Sequence, residues 1–206
     1  IVGFNSMMSP IIADGLTRMF PSEEVYIIGE IKSVLSKSKY IDALRKLAKN
    51  KQKILEGRIG KGEKKYVGKT YDTIITFLLC SKVSFDIKNL LNEEIYGKIP
   101  RKYWHNMVLS IEDGLLTYAI DFTKGTPKTQ MKLKRLGFKI ERLSLFPYPF
   151  IYIGDEKINT LQDHKYVDDK DQYLHIMTFL ILMSSSSRDI WKYSYDPIEY
   201  LGFNNT

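Results

Sequence analysis

Between Pro21 and Tyr40 the chain reads PSEEVYIIGEIKSVLSKSKY. In an extended strand successive side chains point to opposite faces. Val25, Ile27, Gly29 and Ile31 then share one face, and Tyr26, Ile28, Glu30 and Lys32 share the other. A carboxylate and an ammonium therefore stand side by side near the end of an otherwise apolar strand. At that spacing Glu30 can hold a divalent cation, with the backbone carbonyl of Ile31 as a further oxygen donor. The ion polarises a phosphate and lowers the pKa of a bound water. Lys32 can orient that water or neutralise charge developing on the phosphate. This is the chemistry of metal-dependent phosphodiester cleavage, and it needs a second acid from a preceding strand. Had Glu and Lys been adjacent in sequence, they would face opposite ways. Chance supplies Glu-x-Lys often, but on a strand this apolar, unpaired buried charge is costly and marks pairing or function. An edge strand with the two charges paired at its surface is the other reading of the pattern.

The charge around this strand is uneven. The 206 residues carry a formal charge of +7. From Lys32 to Lys69 there are 13 Lys or Arg against three acids, whereas residues 150–206 hold nine acids against five Lys or Arg. A basic segment adjoining the Glu30/Lys32 strand is the footprint of a polyanion partner, and a lysine-rich solvated helix is the bland alternative.

Elements must position these groups. A strand is expected over 25–32, and Ser36 or Ser38 caps a helix over about 39–56. Its apolar positions Ile41, Leu44, Leu47, Ala48, Ile54 and Leu55 fall at helical spacing, and Gly57 is the expected stop. GRIGKGEKKYVGK (57–69) reads as a basic loop. TYDTIITFLLCSK is strand-like and FDIKNLLNEEIYG a short helix. MVLSIEDGLLTYAI reads as a hairpin turning at Glu-Asp-Gly. Residues 124–140 read as basic and irregular, and LFPYPFIYIGD as a Pro-interrupted strand pair. A helix buried on most sides is expected over 170–184, ending at the SSSS run, with DDKD (168–171) at its start. WKYSYDPIEYLGF then reads as a docked aromatic tail. The order points to a mixed sheet with helices packed against it. The length and the 44% apolar, 27% charged composition suit one globular domain. The chain opens on IVGF with no initiator Met or leader, so the reading is of a fragment lacking N-terminal residues.

Other chemistries are disfavoured. The single cysteine, Cys80, excludes an internal disulfide framework and fits a reducing, cytoplasmic setting; its apolar neighbours make it a core residue. His105, His164 and His175 lack ligand-like spacing, and a zinc site is not expected. GRIGKG lacks the Gly-Lys-Ser/Thr ending of a phosphate loop, and no G-x-S-x-G occurs. YLHIMTFLILM, holding the longest apolar run, is shorter than the about 20 residues a bilayer requires, so no membrane is expected.

PSEEVYIIGEIKS (21–33), followed by Leu35 and ALRKLA, resembles the PD-(D/E)xK nuclease superfamily. More narrowly it is similar to an uncharacterised bacterial branch with P-x-E-x-V-Y-x-x-x-E-x-K-S ahead of a basic helix. MVLSIEDGLLTYAI and the D-x-x-Y-L start of the last long helix look like that branch too. The resemblance implies an α/β, restriction-endonuclease-like mixed β-sheet core flanked by helices. It implies Mg²⁺ (or Mn²⁺) as cofactor and cleavage of nucleic acid, DNA favoured over RNA, in restriction, repair or phage defence. Catalysis falls to Glu30 and Lys32, and the metal to Glu30, the Ile31 carbonyl and a first acid. Asp14, 16 residues before Glu30, fills that place on one alignment. On another, IVGFN follows the metal-binding Asp, which then lies ahead of Ile1; Glu23 or Glu24 is the fallback. Nucleic-acid contacts are expected from Ser33, Lys37, Lys39, Arg45, Lys46, Lys49, Lys53 and the 58–69 loop. Homo-oligomers or partner subunits belong to the same expectation. With the first acid absent, the chain is instead an inactive nuclease-fold module that binds nucleic acid or assembles a larger complex.

Overall fold

Local sequence accounts for most elements of the computed structural model, which describes residues 1–4, 12–13, 18–19, 22–59, 74–90, 92–135, 144–150, 152–153, 156–157, 162–168 and 173–189. In chain order the strands are β1 (Val2–Phe4), the ribbon of β2 (Ile12–Ala13) and β3 (Arg18–Met19), β4 (Val25–Leu35) and β5 (Ile75–Val83). The hairpin β6 (Met107–Ser110) and β7 (Gly114–Ile120) follows, then β8 (Ser144–Leu145), the ribbon of β9 (Tyr152–Ile153) and β10 (Glu156–Lys157), and β11 (Gln162–Asp168). The helices are α1 (Lys37–Ile59), α2 (Asn92–Tyr96), α3 (Pro127–Arg135) and α4 (Leu174–Asp189).

One mixed sheet has the order β1-β4-β5-β6-β7-β11, with β8 on β7. β4, β5 and β6 run parallel, and the remaining pairs are antiparallel. The β-branched and aliphatic runs of β5 and β6 suit strands covered on both faces. α1 seals one face over Ile28, Leu78, Cys80 and Val108, using Tyr40, Ala43, Leu44, Leu47 and Ala48. α4 seals the other with Phe179 and Leu182 over Phe77, Met107 and Leu109. The helix after β4 starts at once behind Ser36 and runs two residues past Gly57.

The Glu-Asp-Gly hairpin forms as its sequence suggests. Asp113 in the turn accepts bonds from Ser110 Oγ (2.5 Å) and the Val83 amide (2.8 Å), fastening the turn to the end of β5. Gly114, at φ +140°, occupies a conformation other residues rarely adopt.

Two expectations are corrected. Residues 127–135 are helical rather than irregular, because Thr126 Oγ1 accepts the Thr129 amide at 3.2 Å and Pro127 takes the first helical position. The last helix spans Leu174–Asp189, with the serine run inside it, and is not buried on most sides. Only the stripe through His175, Phe179, Leu182 and Ser186 is buried, while Tyr173, Leu174, Met177, Leu180 and Ile181 are exposed opposite it. Asp14, most of the 58–69 loop, Asp169–Asp171 and the aromatic tail lie outside the described residues.

Candidate active site

The period-two pattern holds in the middle of β4. Glu30 and Lys32 pair in register with Leu78 and Cys80 of β5 and share their face, the one α1 covers. Ile27 falls with the opposite cluster, as does Phe77 opposite Gly29. At the ends the pattern slips: Val25 and Leu35 both enter the cluster beneath α1, whereas alternation from Ile27 would put them on the other side. Strand twist and the register shift between Gly3 and Phe4 on β1 account for the turn at the Val25 end. Gly29 has a packing reason. The Phe77 ring lies against the backbone there, where a Cβ would collide with it.

Glu30 sits at the floor of a cleft of about 390 Å³ between the end of β4 and α1, lined also by Lys32, Ser33, Lys39, Asp42 and Lys46. Its side chain is 14% exposed. Lys32 Nζ donates to Glu30 Oε1 at 2.8 Å, and Lys46 Nζ reaches Oε2 from α1 at 3.5 Å. Burial by itself raises the carboxyl pKa, but the Lys32 hydrogen bond and the charges of Lys46 and Lys32 outweigh it and hold the group below its ordinary value. Glu30 is therefore a carboxylate at neutral pH.

Among the described residues, the backbone beyond Gly29 has no partner on the β1 side. Gly29 exchanges hydrogen bonds with Ile1, its amide donating to the Ile1 carbonyl at 3.0 Å and its carbonyl accepting from the Ile1 nitrogen at 2.9 Å. Two residues on, the pleat turns the amide and carbonyl of Ile31 to the same side, where no described strand pairs with β4. The Glu30 carboxylate and the Ile31 carbonyl are hard oxygen donors, the type Mg²⁺ and Mn²⁺ prefer, and Mg²⁺ is usually held by one or two carboxylates plus waters and substrate oxygens. The donors present fit such an ion. Among the described residues no group of three His, Cys, Asp or Glu side chains converges.

The other expected residues are placed unevenly. Glu24 is buried and accepts from Tyr26 Oη at 3.2 Å. It lies in the short 3₁₀ turn (Ser22–Glu24) ahead of β4 and does not line the cleft that holds Glu30. Glu24 is thus not brought to the cleft, and the Glu23 side chain lies outside the described residues. Lys39, Lys46, Lys49 and Lys53 fall on one flank of α1 at helical spacing, all exposed, running away from the cleft. Lys37 instead pairs with Glu94 at 3.1 Å. Arg45 donates to the carbonyls of Ile95 (2.6 Å) and Glu94 (3.1 Å) on α2. Asp42 in the cleft wall, and Lys46 as a partner of Glu30, were not anticipated; Lys39, Ala43 and Lys46 at steps of four and three were the available signal.

His105 and His164 form a network away from the cleft. Tyr96 Oη accepts the His105 amide at 3.0 Å and is hydrogen-bonded to His105 Nδ1 at 2.6 Å. The other ring nitrogen of His105, Nε2, lies 3.2 Å from His164 Nε2. Burial pushes the His105 pKa well below its usual value, with the His164 and Lys51 charges adding to the effect. Burial, and then Arg101, pushes His164 down to about 3. Lys51 is buried and donates to Trp104 O and Asn106 Oδ1, both at 3.2 Å, so this lysine of the basic segment belongs to the core.

No family model and no curated protein matches the sequence. Solved structures do match the fold. NucC of P. aeruginosa in its cAAA-bound form superposes with a TM-score of 0.55 at 11% identity, covering 98% of this chain and 68% of that one. NucC of E. coli is similar in its cAAA-bound form (TM-score 0.53, 13% identity, 98% and 67% covered). Its apo form gives a TM-score of 0.52 at 13% identity, with 98% and 72% covered. The architecture is thus α/β, a restriction-endonuclease-like mixed β-sheet core flanked by helices.

Proposed function

We propose that this chain is a metal-dependent nuclease, hydrolysing phosphodiester bonds of nucleic acid, DNA before RNA, in defence against phage. One observation carries the reading: Glu30 and Lys32 stand together on one strand face, at the floor of a cleft bordered by a lysine flank. The nuclease-type fold shared with NucC supports it.

Glu30 and the Ile31 carbonyl would hold a Mg²⁺ or Mn²⁺ ion, which when bound supplies positive charge to the phosphate and acidifies a water. Lys32 then faces the phosphate and stabilises charge on its oxygens. Lys39 and Ser33 in the cleft wall, and Lys49 and Lys53 beyond it, bind flanking phosphates. The β1–β4 register suggests where a second carboxylate belongs. Val2 lies opposite Ile28 and Gly3 opposite Ile27. A residue joined ahead of Ile1 and continuing β1 would stand opposite Glu30, on the same face. Asp14, outside the described residues, is the other source for it.

The test is a cleavage assay with Mg²⁺ or Mn²⁺ on duplex and single-stranded substrates, with and without cAAA. It compares this chain with one carrying Asp ahead of Ile1, and each with its Glu30→Ala variant. Metal-dependent cleavage that Glu30→Ala abolishes is the expected result. Nucleic-acid binding with no cleavage in any form would replace this reading with that of a binding module on the same fold. The presence of one strand-borne carboxylate in the described cleft favours that second reading.

A further inference from the structure

We infer that Lys46 gates the Glu30 carboxylate, tying the entry of a divalent cation to the arrival of a phosphate. The inference rests on the reading of the cleft as a metal-dependent phosphodiesterase site. Glu30 is held from two sides, by Lys32 on Oε1 at 2.8 Å and by Lys46 on Oε2 at 3.5 Å. Both carboxylate oxygens thus face ammonium groups, and a cation approaching either one meets a like charge at close range. One lysine has to yield.

The two are unequal. Lys32 makes the shorter contact and comes from the next position on the same face of the same strand. Lys46 comes from a different element, its contact is longer, and its side chain is 65% exposed against 45% for Lys32. It is a compact charge on a flexible stem, and exposed ion pairs of this kind contribute little. Lys46 is therefore the one that leaves.

Two acceptors lie within its range. Asp42 is one turn earlier on α1, four residues N-terminal to the lysine, the favourable order for such a pair, and lines the same cleft. The other is a phosphate entering between β4 and α1. Without a polyanion, Lys46 neutralises Glu30 and the cation binds weakly. A phosphate draws Lys46 away and frees Oε2. Cation and polyanion then strengthen each other's binding, by the same factor in both directions. Lys46 acts through Glu30 and is a positioning residue.

Mn²⁺ binding, followed by electron paramagnetic resonance or calorimetry, tests this with and without a phosphorothioate DNA duplex that resists cleavage. For the wild type, the duplex should tighten Mn²⁺ binding about tenfold. Lys46→Met, which keeps the stem and drops the charge, should bind Mn²⁺ about tenfold more tightly than wild type in the absence of duplex. Adding duplex should then change little, while Lys46→Arg should retain the coupling. Unchanged Mn²⁺ affinity in Lys46→Met, with the duplex effect intact, overturns the gate and leaves the proposed nuclease site standing. No Mn²⁺ binding by any form, duplex present, overturns the reading of the cleft itself.

Discussion

Glu30 and Lys32 share a cleft but hold different parts of the proposed chemistry, so their removal should separate them. Glu30→Ala takes away a metal ligand, and both Mn²⁺ binding and cleavage should collapse. Nucleic-acid binding should be kept or tightened, because a negative charge leaves the cleft. Lys32→Ala should retain the ion and lower kcat by about 10²-fold, the scale of losing one group that stabilises developing charge. The double variant should be little worse than Glu30→Ala, since both act in one site. Paired cleavage rates and metal titrations read this out. An ion pair without function predicts instead a stability loss under about 1 kcal/mol and no change in rate. The carboxylate is charged wherever these assays are run: its folded pKa lies below its ordinary value of 4.5, so its contribution to stability is present above that value and lost only in acid.

At the scale of elements, β4 holds Glu30 in place through its packing on β5. Gly29 leaves room for the Phe77 ring, which packs edge-on against Phe179 of α4 at 5.8 Å between centroids. Gly29→Ala should therefore destabilise the protein by about 1–3 kcal/mol, as overpacking of a core does. Thermal denaturation checks it, and Phe77→Leu in the same chain should recover part of the loss, since contacting sites couple. α1 makes a second claim. Its exposed flank of Lys39, Lys49 and Lys53 is proposed to track phosphates, so Lys39→Ala and Lys53→Ala should each lower the slope of log affinity against log salt by about 0.9 on duplex DNA. Lys37→Ala, whose ammonium is engaged by Glu94, should leave that slope nearly unchanged. Equal slopes for all three variants would mean that the flank is only solvated.

Over the whole molecule, the buried His105 and the half-buried His164 shape the response to acid. His105 and His164 join the residues ahead of β6 to β11, on the side of the sheet away from β1, through neutral rings. Their folded pKa values lie below the unfolded value of 6.5, so on acidification the unfolded chain takes up protons first. Stability is full above that value and falls as pH drops through it, by about 1.4 kcal/mol per pH unit for each histidine. Between about pH 6.5 and 5, before carboxylates titrate, the slope should therefore approach twice that figure. Urea denaturation across this range measures it, and His164→Asn should roughly halve the slope. A wild type with flat stability over the window would show that the pair takes up protons while folded. No described helix is long and apolar enough to cross a membrane.

The short-range features of this chain were legible in its sequence. A period of two placed Glu30 and Lys32 on one face, a period of 3.6 laid out α1, and Glu-Asp-Gly marked the β6–β7 turn. Each depends on backbone geometry over a few residues. Misreadings arose where a local signal was weak or incomplete: the capped helix at 127–135 lay hidden in a basic run, and the apolar run of α4 said nothing of which stripe would meet the sheet. Partners across the fold had no signature of this kind. Periodicity states which way a side chain faces and not what it meets. Lys46 reaches Glu30, while Arg45 beside it turns to α2. Phe77 lies over Gly29, and His105 meets His164 from 59 residues away. Those pairings follow from the order of strands and the path by which α1 returns to the sheet. Close packing allows one partner at each place, and only the assembled core selects it.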